Sequence, residues 1–253
     1  YPVWVSQKPD PHISAEVKIN LTILVLGAMV MILNETALSV ALPTIMADFG
    51  IPATSAQWLL TGFLLTMGVV IPTTGFLMDK FTTRQIFLAS SGVFLAGTVL
   101  AGLAPAFGVL LVGRVFQAAG TALMIPTLMT VAMTLVPPQR RGSVMGIISV
   151  VISVAPALGP TVGGFVLSMS SWHVIFWTMV PLLGLICAAG YFRLVNVGDK
   201  RDTPLDFPSV VLSVIAFGGL VYAVSSLENM LEGDGLVDIV VLIVGLVALA
   251  LFT

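Results

Sequence analysis

The run NLTILVLGAMVMILNETALSVALPTIM, residues 20–46, decides the fold class of this chain. Glu35 is its only charged residue. About 20 consecutive apolar residues are enough for a helix to cross a bilayer. The run is also too long for the apolar core of a cleavable signal peptide. It therefore predicts a membrane-spanning helix close to the start of the chain.

Seven further apolar runs follow the first. The eight predicted spans are Asn20–Met46, Gln57–Met78, Gln85–Leu103, Ala106–Val136, Ser143–Ser168, Trp172–Val195, Phe207–Leu227 and Val237–Thr253. Hydrophobic residues make up 58% of the chain and charged residues 9%, whereas soluble domains carry about 25% charged residues. A soluble fold could not hide so much apolar surface from water. The sequence predicts an all-α membrane protein.

The connections divide the chain into four segments. We expect a cytoplasmic N-terminal segment at 1–19, a six-helix bundle at 20–195, a cytoplasmic linker at 196–206 and two additional transmembrane helices at 207–253. The linker is the only connection long and polar enough to separate two groups of helices. Because the chain begins with Tyr1 and stops inside an apolar run, we expect it to be part of a longer protein.

Lysine and arginine in the connections predict the orientation, because short cytoplasmic loops are enriched in both. Nine of the ten basic residues fall on one side of the predicted spans: Lys8, Lys18, Lys80, Arg84, Arg140, Arg141, Arg193, Lys200 and Arg201. The connections on the other side have none, and the connection at 228–236 is acidic. This pattern predicts a multi-pass membrane protein with its N-terminus in the cytoplasm.

The tenth basic residue, Arg114, falls inside the fourth predicted span. A charge there costs at least about 2.5–3.5 kcal/mol and is tolerated mainly beside a cavity or a partner. Glu35 is the only plausible partner. At 1.5 Å per residue, Glu35 and Arg114 lie roughly 16 Å and 12 Å below the same outer surface.

Two interpretations of this pair remain open. In a proton relay, a carboxylate held ionised by arginine takes a proton when the arginine or the surrounding water moves away. In the alternative, a static ion pair joins two helices. Intramembrane ionisable groups are functional candidates by default, which favours the relay.

Four polar side chains near the pair are candidates for a substrate cavity: Asn34, Ser39, Gln117 and Thr121. Ser39 shares the helix face of Glu35 at i+4, and Gln117 shares the face of Arg114 at i+3. Asn34 points about 100° away from Glu35. Such residues either extend a polar path or satisfy hydrogen bonds between helices.

A second motif is the short connection Gly75–Arg84, which carries several charges on the predicted cytoplasmic side. We expect Gly75 to be a close-packing position at the end of the second span. Asp79, Lys80 and Arg84 either latch a conformational state or form a solvated turn, and charge alone favours the solvated turn.

A third motif, Ala155–Gly164, is dense in helix-breaking residues. It contains Pro156, Gly159, Pro160, Gly163 and Gly164. Proline and glycine at this density predict a bent or broken helix. The small residues also predict a face for close helix packing.

No sequence motif indicates an enzyme or a bound cofactor. We find no phosphate-binding loop, zinc signature or nucleophile elbow. Cys187 is the only cysteine, so it cannot form a disulfide within the chain. A net charge of -2 also argues against a nucleic-acid partner.

Together, and in this order, the motifs resemble those of the major facilitator superfamily. Gly75–Arg84 resembles the loop motif between helices two and three. Leu111–Gly120 resembles the arginine motif of helix four, and Ala155–Gly164 resembles the antiporter motif of helix five.

Three other segments are similar to one branch of that superfamily, the fourteen-helix drug:proton antiporters of the EmrB/QacA type. They are Leu33–Pro43, Ser171–Pro181 and Leu205–Phe207. The tripeptide Asn34-Glu35-Thr36 is most similar to the lincomycin-resistance branch.

The resemblance implies the major facilitator fold, with an N-terminal six-helix bundle of two inverted three-helix repeats and two additional transmembrane helices. It implies efflux of amphipathic small molecules in exchange for protons by alternating access. The proton gradient would supply the energy, without a cofactor, across a bacterial inner membrane. The partners would be the lipid bilayer, protons, the substrate and the C-terminal half of the same protein.

The resemblance also implies roles for particular residues. Arg114 would take part in proton transfer, and Asp79 with Arg84 would latch a conformational state. Gly159, Pro160, Gly163 and Gly164 match the antiporter signature. Asn34 stands where the helix-one motif usually has Asp, with Glu35 next to it, so either residue is a candidate for the proton site. Thr82 stands where the loop motif usually has Gly, so we expect a different turn there.

Two other functions remain open. One is export of a single natural solute or lipid-like compound by the same fold. The other is a non-transporting scaffold or sensor. The cost of placing Glu35 and Arg114 inside the membrane argues against the scaffold.

Overall fold

The computed structural model describes residues 13–197, 207–225 and 236–252, where every regular element is helical. The long helices are α1 Ala15–Phe49, α2 Trp58–Lys80, α3 Thr83–Gly102, α4 Phe107–Leu135, α5 Pro138–Met169, α6 His173–Arg193, α7 Phe207–Ser225 and α8 Leu236–Phe252. A short helix, Ala53–Ala56, leads into α2. The predicted all-α membrane fold is confirmed.

The helix ends follow from local sequence. Ser14 caps α1 by accepting a hydrogen bond from the backbone N–H of Val17, and Gly50, whose φ of 61° suits glycine, follows the last residue of α1. Thr82 and Gln85 form a reciprocal capping box at the start of α3. Thr82 has an extended backbone with φ −72°, so the turn needs no glycine.

Six of the described helices, α1 to α6, are long and apolar enough to cross a membrane. The shorter apolar stretch Val237–Ala250 lies in α8. Helix α7 packs against α2 and α8. That α7 and α8 cross the membrane stays a prediction, as do the segment boundaries and the cytoplasmic side. Lys8, Lys200, Arg201 and the acidic residues at 228–234 lie outside the described residues.

The packing of the first six helices has an internal symmetry. Helix α1 packs against α5 and α6, and α4 packs against α2 and α3. Helices α1 and α4 also contact each other, as do α3 and α6. This set of contacts is unchanged when α1–α3 are exchanged with α4–α6. Since three spans separate equivalent helices, the two repeats have opposite orientations, as in an inverted repeat.

Buried apolar side chains form two clusters, one at each end of the bundle. The lower cluster, at the end where α1 begins, includes Leu24, Ala28, Met31, Phe87, Phe94, Met124, Leu128 and Leu183. The upper cluster, at the end where α1 finishes, includes Ala37, Leu38, Ile45, Leu59, Ala101, Leu110, Trp172 and Phe176. The interval between them holds the polar residues described below.

A buried tryptophan joins α1 to α6 in the upper cluster. The side chain of Trp172 is fully buried, and its indole Nε1 donates a hydrogen bond to Oδ2 of Asp48 over 2.6 Å. The ring also stacks on His173, with 3.6 Å between ring centroids. The upper ends of the two helices are therefore tied by a polar contact as well as by apolar packing.

Small residues bring α3 and α4 into close contact. A Cβ atom added at Gly97 would lie 2.5 Å from the carbonyl oxygen of Gly113, and one at Gly120 would lie 2.6 Å from that of Ser90. The Ser90 hydroxyl donates a hydrogen bond to the Gly120 carbonyl over 2.7 Å. In a membrane, where lipid is as apolar as a side chain, such close approaches and hydrogen bonds drive helix association.

We expect Gly97→Val to destabilise the bundle, because the new side chain would meet the backbone of α4. Overpacking of this kind costs about 1–3 kcal/mol. Gly92→Val is the matched control, since Gly92 lies on the same helix with nothing within 4 Å of an added Cβ. Thermal unfolding in detergent should show a lower midpoint for Gly97→Val only. Equal midpoints would contradict the close α3–α4 contact.

Candidate functional site

A polar layer lies between the lower and upper clusters. Its members are Asn34 and Glu35 on α1, Thr98 on α3, and Arg114, Gln117 and Thr121 on α4. On each helix they fall between residues of the two clusters. Glu35 is half-buried, and the other five side chains are buried. The layer therefore places polar chemistry in the middle of an apolar bundle.

The guanidinium of Arg114 is held by residues of α2 and α4. Its Nη1 donates to Oε1 of Gln117 over 3.0 Å, and its Nε donates to the carbonyl oxygen of Leu59 over 3.4 Å. Its Cζ lies 4.2 Å from the centroid of the Phe63 ring, a cation–π distance. The remaining nitrogen, Nη2, is buried without a hydrogen-bond partner. Two of the three guanidinium nitrogens therefore have a hydrogen-bond partner, and Nη2 has none.

The predicted direct pair of Glu35 with Arg114 does not form in this conformation. The bonded nitrogens of the guanidinium face Gln117 and Leu59, and Nη2 reaches no acceptor. Charges in one layer still attract each other across a gap, because Coulomb interactions weaken only slowly with distance where the effective dielectric constant is low. Glu35 and Arg114 therefore lie in one layer without a direct contact.

Asn34 contributes a second unsatisfied group to the layer. Its side chain is fully buried, and neither Nδ2 nor Oδ1 has a partner. Asn34 lies about two helical turns beyond Gly27, whose added Cβ would be 3.1 Å from Cε of Met124 on α4. It therefore shares the α1 face that packs on α4. An unpaired buried amide costs about 1–3 kcal/mol, so it raises the free energy of this conformation.

Gln117 links Arg114 to α3. Its Nε2 donates to Oγ1 of Thr98 over 2.9 Å, and its backbone carbonyl accepts from the hydroxyl of Thr121 over 3.0 Å. The predicted proximity of Gln117 and Arg114 at i+3 is confirmed. Thr98 was not predicted, although a depth count along the third span would have placed it in the same outer half as Arg114.

The predicted cavity residues do not all fall together. Asn34, Gln117 and Thr121 join Arg114 in the layer, all fully buried. Ser39 lies outside it, exposed, with its hydroxyl donating to the carbonyl of Thr36 over 2.7 Å. Whether these side chains contact a substrate stays a prediction.

Glycines of α5 pack against α1 next to Glu35. An added Cβ at Gly159 would collide with the Thr36 hydroxyl, and one at Gly163 would lie 2.6 Å from the carbonyl oxygen of Ala37. The predicted close packing is therefore confirmed at these two glycines. At Gly164 nothing lies within 4 Å of an added Cβ, so the prediction is wrong there.

The prolines of α5 do not interrupt the helix. Pro156 and Pro160 both lie inside the continuous helix Pro138–Met169, so the helix is not broken there, and a bend stays a prediction. Proline removes one backbone hydrogen bond. Membrane helices tolerate this loss because neighbouring groups can satisfy the freed carbonyl.

The Gly75–Arg84 motif is mostly helical and not a loop. Asp79 and Lys80 are the last two residues of α2, and Arg84 lies in the first turn of α3. Gly75 is exposed, with nothing within 4 Å of an added Cβ, so its predicted close packing is wrong here.

Arg84 contacts the end of α6 and not Asp79. Its guanidinium Cζ lies 4.7 Å from the centroid of the Tyr191 ring, and its backbone N–H donates to Oδ1 of Asn196 over 3.3 Å. The Thr83 hydroxyl donates to the backbone carbonyl of Val197 over 3.2 Å. These contacts tie the segment after α6 to the start of α3. The latch function of Asp79, Lys80 and Arg84 stays a prediction.

Glu35 and Arg114 are the charged members of the layer. The other described charged residues lie at helix ends: Glu16, Lys18, Asp48, Asp79, Lys80, Arg84, Arg140, Arg141, Arg193 and Asp238. Within the described residues, no three His, Cys, Asp or Glu side chains form a group able to hold a metal ion. The chemistry available in the layer is hydrogen bonding, charge stabilisation and proton binding by one carboxylate.

A family model described as the Major Facilitator Superfamily matches residues 24–253. The chain is 44% identical to the uncharacterized MFS-type transporter YcnB of Bacillus subtilis (strain 168), over 91% of the chain and 48% of that protein. It is 42% identical to the lincomycin resistance protein LmrB of the same strain, over 91% of the chain and 48% of LmrB. The multidrug export protein EmrB of Haemophilus influenzae is 31% identical, over 85% of the chain and 42% of EmrB. The chain thus spans about half the length of the curated relatives it matches.

Two solved structures share this fold at low identity. The human organic anion transporter MFSD10 (TETRAN) gives a TM-score of 0.65 at 16% identity, covering 84% of this chain and 56% of that chain. The peptide transporter POT in complex with sulfate also gives 0.65 at 16% identity, covering 86% of this chain and 46% of that chain. At this identity the likeness concerns the fold alone.

We expect Gly163→Val to weaken the α1–α5 contact beside Glu35, because the new side chain would meet the backbone of Ala37, which cannot rotate away. Gly164→Val is the neighbouring control, since its added side chain would meet open space. After a brief heat step, size-exclusion chromatography should recover less folded Gly163→Val than Gly164→Val. Equal recovery would count against the contact.

Proposed function

Since this chain belongs to the Major Facilitator Superfamily, we propose that it forms the N-terminal half of a proton-coupled exporter of drugs or other amphipathic compounds. The relatives named for lincomycin resistance and multidrug export support this class of substrate. The fold and the polar layer support a transport mechanism in which the bundle alternates between two conformations.

The proposal depends on one observation, the buried guanidinium of Arg114 with a free donor at Nη2. A charge at this depth is costly, and in membrane proteins such charges mark ion and substrate pathways. If Arg114 only joined two helices, its strongest partner, the carboxylate of Glu35, would be expected on the guanidinium. It is not there, which favours a changing interaction over a static one.

In the proposed cycle, Glu35 carries the proton. An amide such as Asn34 neither gains nor loses a proton at ordinary pH, whereas a carboxylate can do both. When Glu35 is ionised, its charge attracts Nη2 of Arg114. When a proton binds one carboxylate oxygen, the negative charge disappears, and the attraction that favours one conformation is lost. Protonation thereby shifts the population between the two states.

Asn34 has a separate role in this scheme. Its unpaired amide offers both a donor and an acceptor next to Glu35. We assign it to hydrogen bonding, with Glu35 in one state or with a polar group of the substrate in the other. A single polar layer in an otherwise apolar bundle suits a substrate with few polar groups and a large apolar part. The C-terminal half of the transporter would complete the cavity.

Glu35→Gln and Arg114→Ala should each abolish proton-driven export by the complete transporter, because each removes one of the two coupled charges. The measurement is ethidium efflux from cells that express the transporter, with and without a proton gradient. Glu16→Gln is the control, since Glu16 lies in the exposed first turn of the same helix. It should pump like wild type.

Wild-type efflux by both Glu35→Gln and Arg114→Ala, at equal amounts of folded protein, would refute the proton relay. A panel of amphipathic compounds then tests substrate breadth. Acceptance of several unrelated compounds supports the multidrug proposal. Acceptance of a single compound would contradict it and identify a dedicated exporter.

A further inference from the structure

We propose that Thr98 on α3 is a positioning residue for Arg114. Thr98 is buried, and its hydroxyl contacts neither Glu35 nor the guanidinium. It acts through Gln117. This inference rests on the proposed proton-coupled function and adds a residue on a helix that carries no other member of the polar layer.

The hydrogen bonds that connect Thr98 to Gln117 and Gln117 to Arg114 have a fixed direction. A threonine hydroxyl has one hydrogen to donate. Thr98 donates it to the backbone carbonyl of Phe94 over 2.8 Å, within its own helix. Towards Gln117 the hydroxyl can therefore only accept. It accepts from Nε2 over 2.9 Å, so the amide nitrogen of Gln117 must face α3.

The orientation of the Gln117 amide determines whether its oxygen or its nitrogen faces Arg114. With Nε2 turned towards Thr98, Oε1 faces Nη1 of Arg114 at 3.0 Å. If the amide were reversed, its N–H groups would face the N–H groups of the guanidinium, and donors cannot pair with donors. The hydroxyl of Thr98 thus selects the one orientation of Gln117 in which Arg114 has an acceptor.

This orientation leaves one arm of Arg114 free in a defined place. Gln117 occupies Nη1 and the Leu59 carbonyl occupies Nε, while Phe63 lies against the guanidinium. Nη2 is then the donor available to a carboxylate. Without Thr98, the long arginine side chain loses one fixed partner and its free arm no longer points in a single direction.

A purely structural role for the Thr98 hydroxyl is not needed to hold α3 against α4. The neighbouring Gly97 already lies within close backbone contact of Gly113, and Ser90 donates a hydrogen bond across the same interface. The helices are joined above and below this level by contacts that do not involve Thr98. Its hydroxyl is thus available to set the direction of the Gln117 amide.

The experiment compares Thr98→Val, which removes the hydroxyl at similar size, with Thr98→Ser, which keeps it. Thr127→Val is the matched control. Thr127 is also fully buried, and its hydroxyl donates only to the Leu123 carbonyl of its own helix, over 2.7 Å. The complete transporter is reconstituted in lipid vesicles, and ethidium–proton exchange is measured as a function of pH.

We expect Thr98→Val to slow exchange by about tenfold, in line with the loss of one buried hydrogen bond. Its pH midpoint should move upward, because the released arm of Arg114 spends less time near the carboxylate, and a carboxylate with less positive charge beside it takes a proton at higher pH. We assign this shift to Glu35. Of the helices that pack against α1, α4 contributes Arg114 to the layer, whereas Arg140 and Arg141 of α5 and His173 and Arg193 of α6 lie at helix ends. Thr98→Ser should restore both rate and midpoint, and Thr127→Val should match wild type.

Three outcomes would overturn the inference. They are a wild-type pH midpoint for Thr98→Val, equal defects in Thr98→Ser and Thr98→Val, or the same shift in Thr127→Val. If Thr98→Val is poorly folded, Thr98→Ala removes the same hydroxyl with a smaller side chain and is held to the same criteria. Failure of the proposed function looks different, because Glu35→Gln would then exchange protons like wild type whatever Thr98 does.

Discussion

The requirement to satisfy one buried cation organises the centre of this bundle. Arg114 lies where no water can solvate it from the side of the lipid, so neighbouring helices must supply its partners. Helix α2 supplies the Leu59 carbonyl and the Phe63 ring, and α4 supplies Gln117. The apolar clusters lie above and below the layer and contribute mainly apolar packing. Without the cation, the Gln117 amide oxygen and the Leu59 carbonyl would each lose a buried hydrogen-bond partner.

Close helix contacts make this arrangement possible. Gly97 and Gly113 bring the backbones of α3 and α4 near enough for the short side chain of Thr98 to meet Gln117. On the other side of the bundle, Gly159 and Gly163 bring α5 against α1 beside Glu35. The two contacts differ in kind. The α3–α4 contact carries interhelical hydrogen bonds, whereas the glycines of α5 meet α1 through van der Waals contact.

Sequence alone predicts what depends on composition and on spacing within one helix. Hydropathy identifies the six helices that are long and apolar enough to cross a membrane, and the i+3 spacing correctly places Gln117 beside Arg114. Sequence alone fails where a contact depends on the position of a neighbouring helix. Depth placed Glu35 and Arg114 at one level, but depth does not measure the distance between two helix faces. Gly75 and Gly97 are both glycines inside spans, and only the packing shows that Gly97 faces a helix while Gly75 faces open space. Thr98 was missed for the same reason, because its partner lies on α4.

The unsatisfied groups of the polar layer lie on α1 and α4. Arg114 Nη2 and both polar atoms of Asn34 are unpaired, and each raises the free energy of this state. Thr98, Gln117 and Ser90 are paired across the α3–α4 contact, so separating α3 from α4 would break hydrogen bonds and gain none. A displacement of α1 relative to α4 breaks no hydrogen bond of the layer and could bring Asn34 and Glu35 within reach of Nη2. Such a displacement would have to carry along or break the hydrogen bonds that join α1 to the two ends of α6, from Trp172 to Asp48 and from the Val195 N–H to Asn20. Under the proposed function, a proton on Glu35 would act on this displacement, because Glu35 is the charged residue that α1 contributes to the layer.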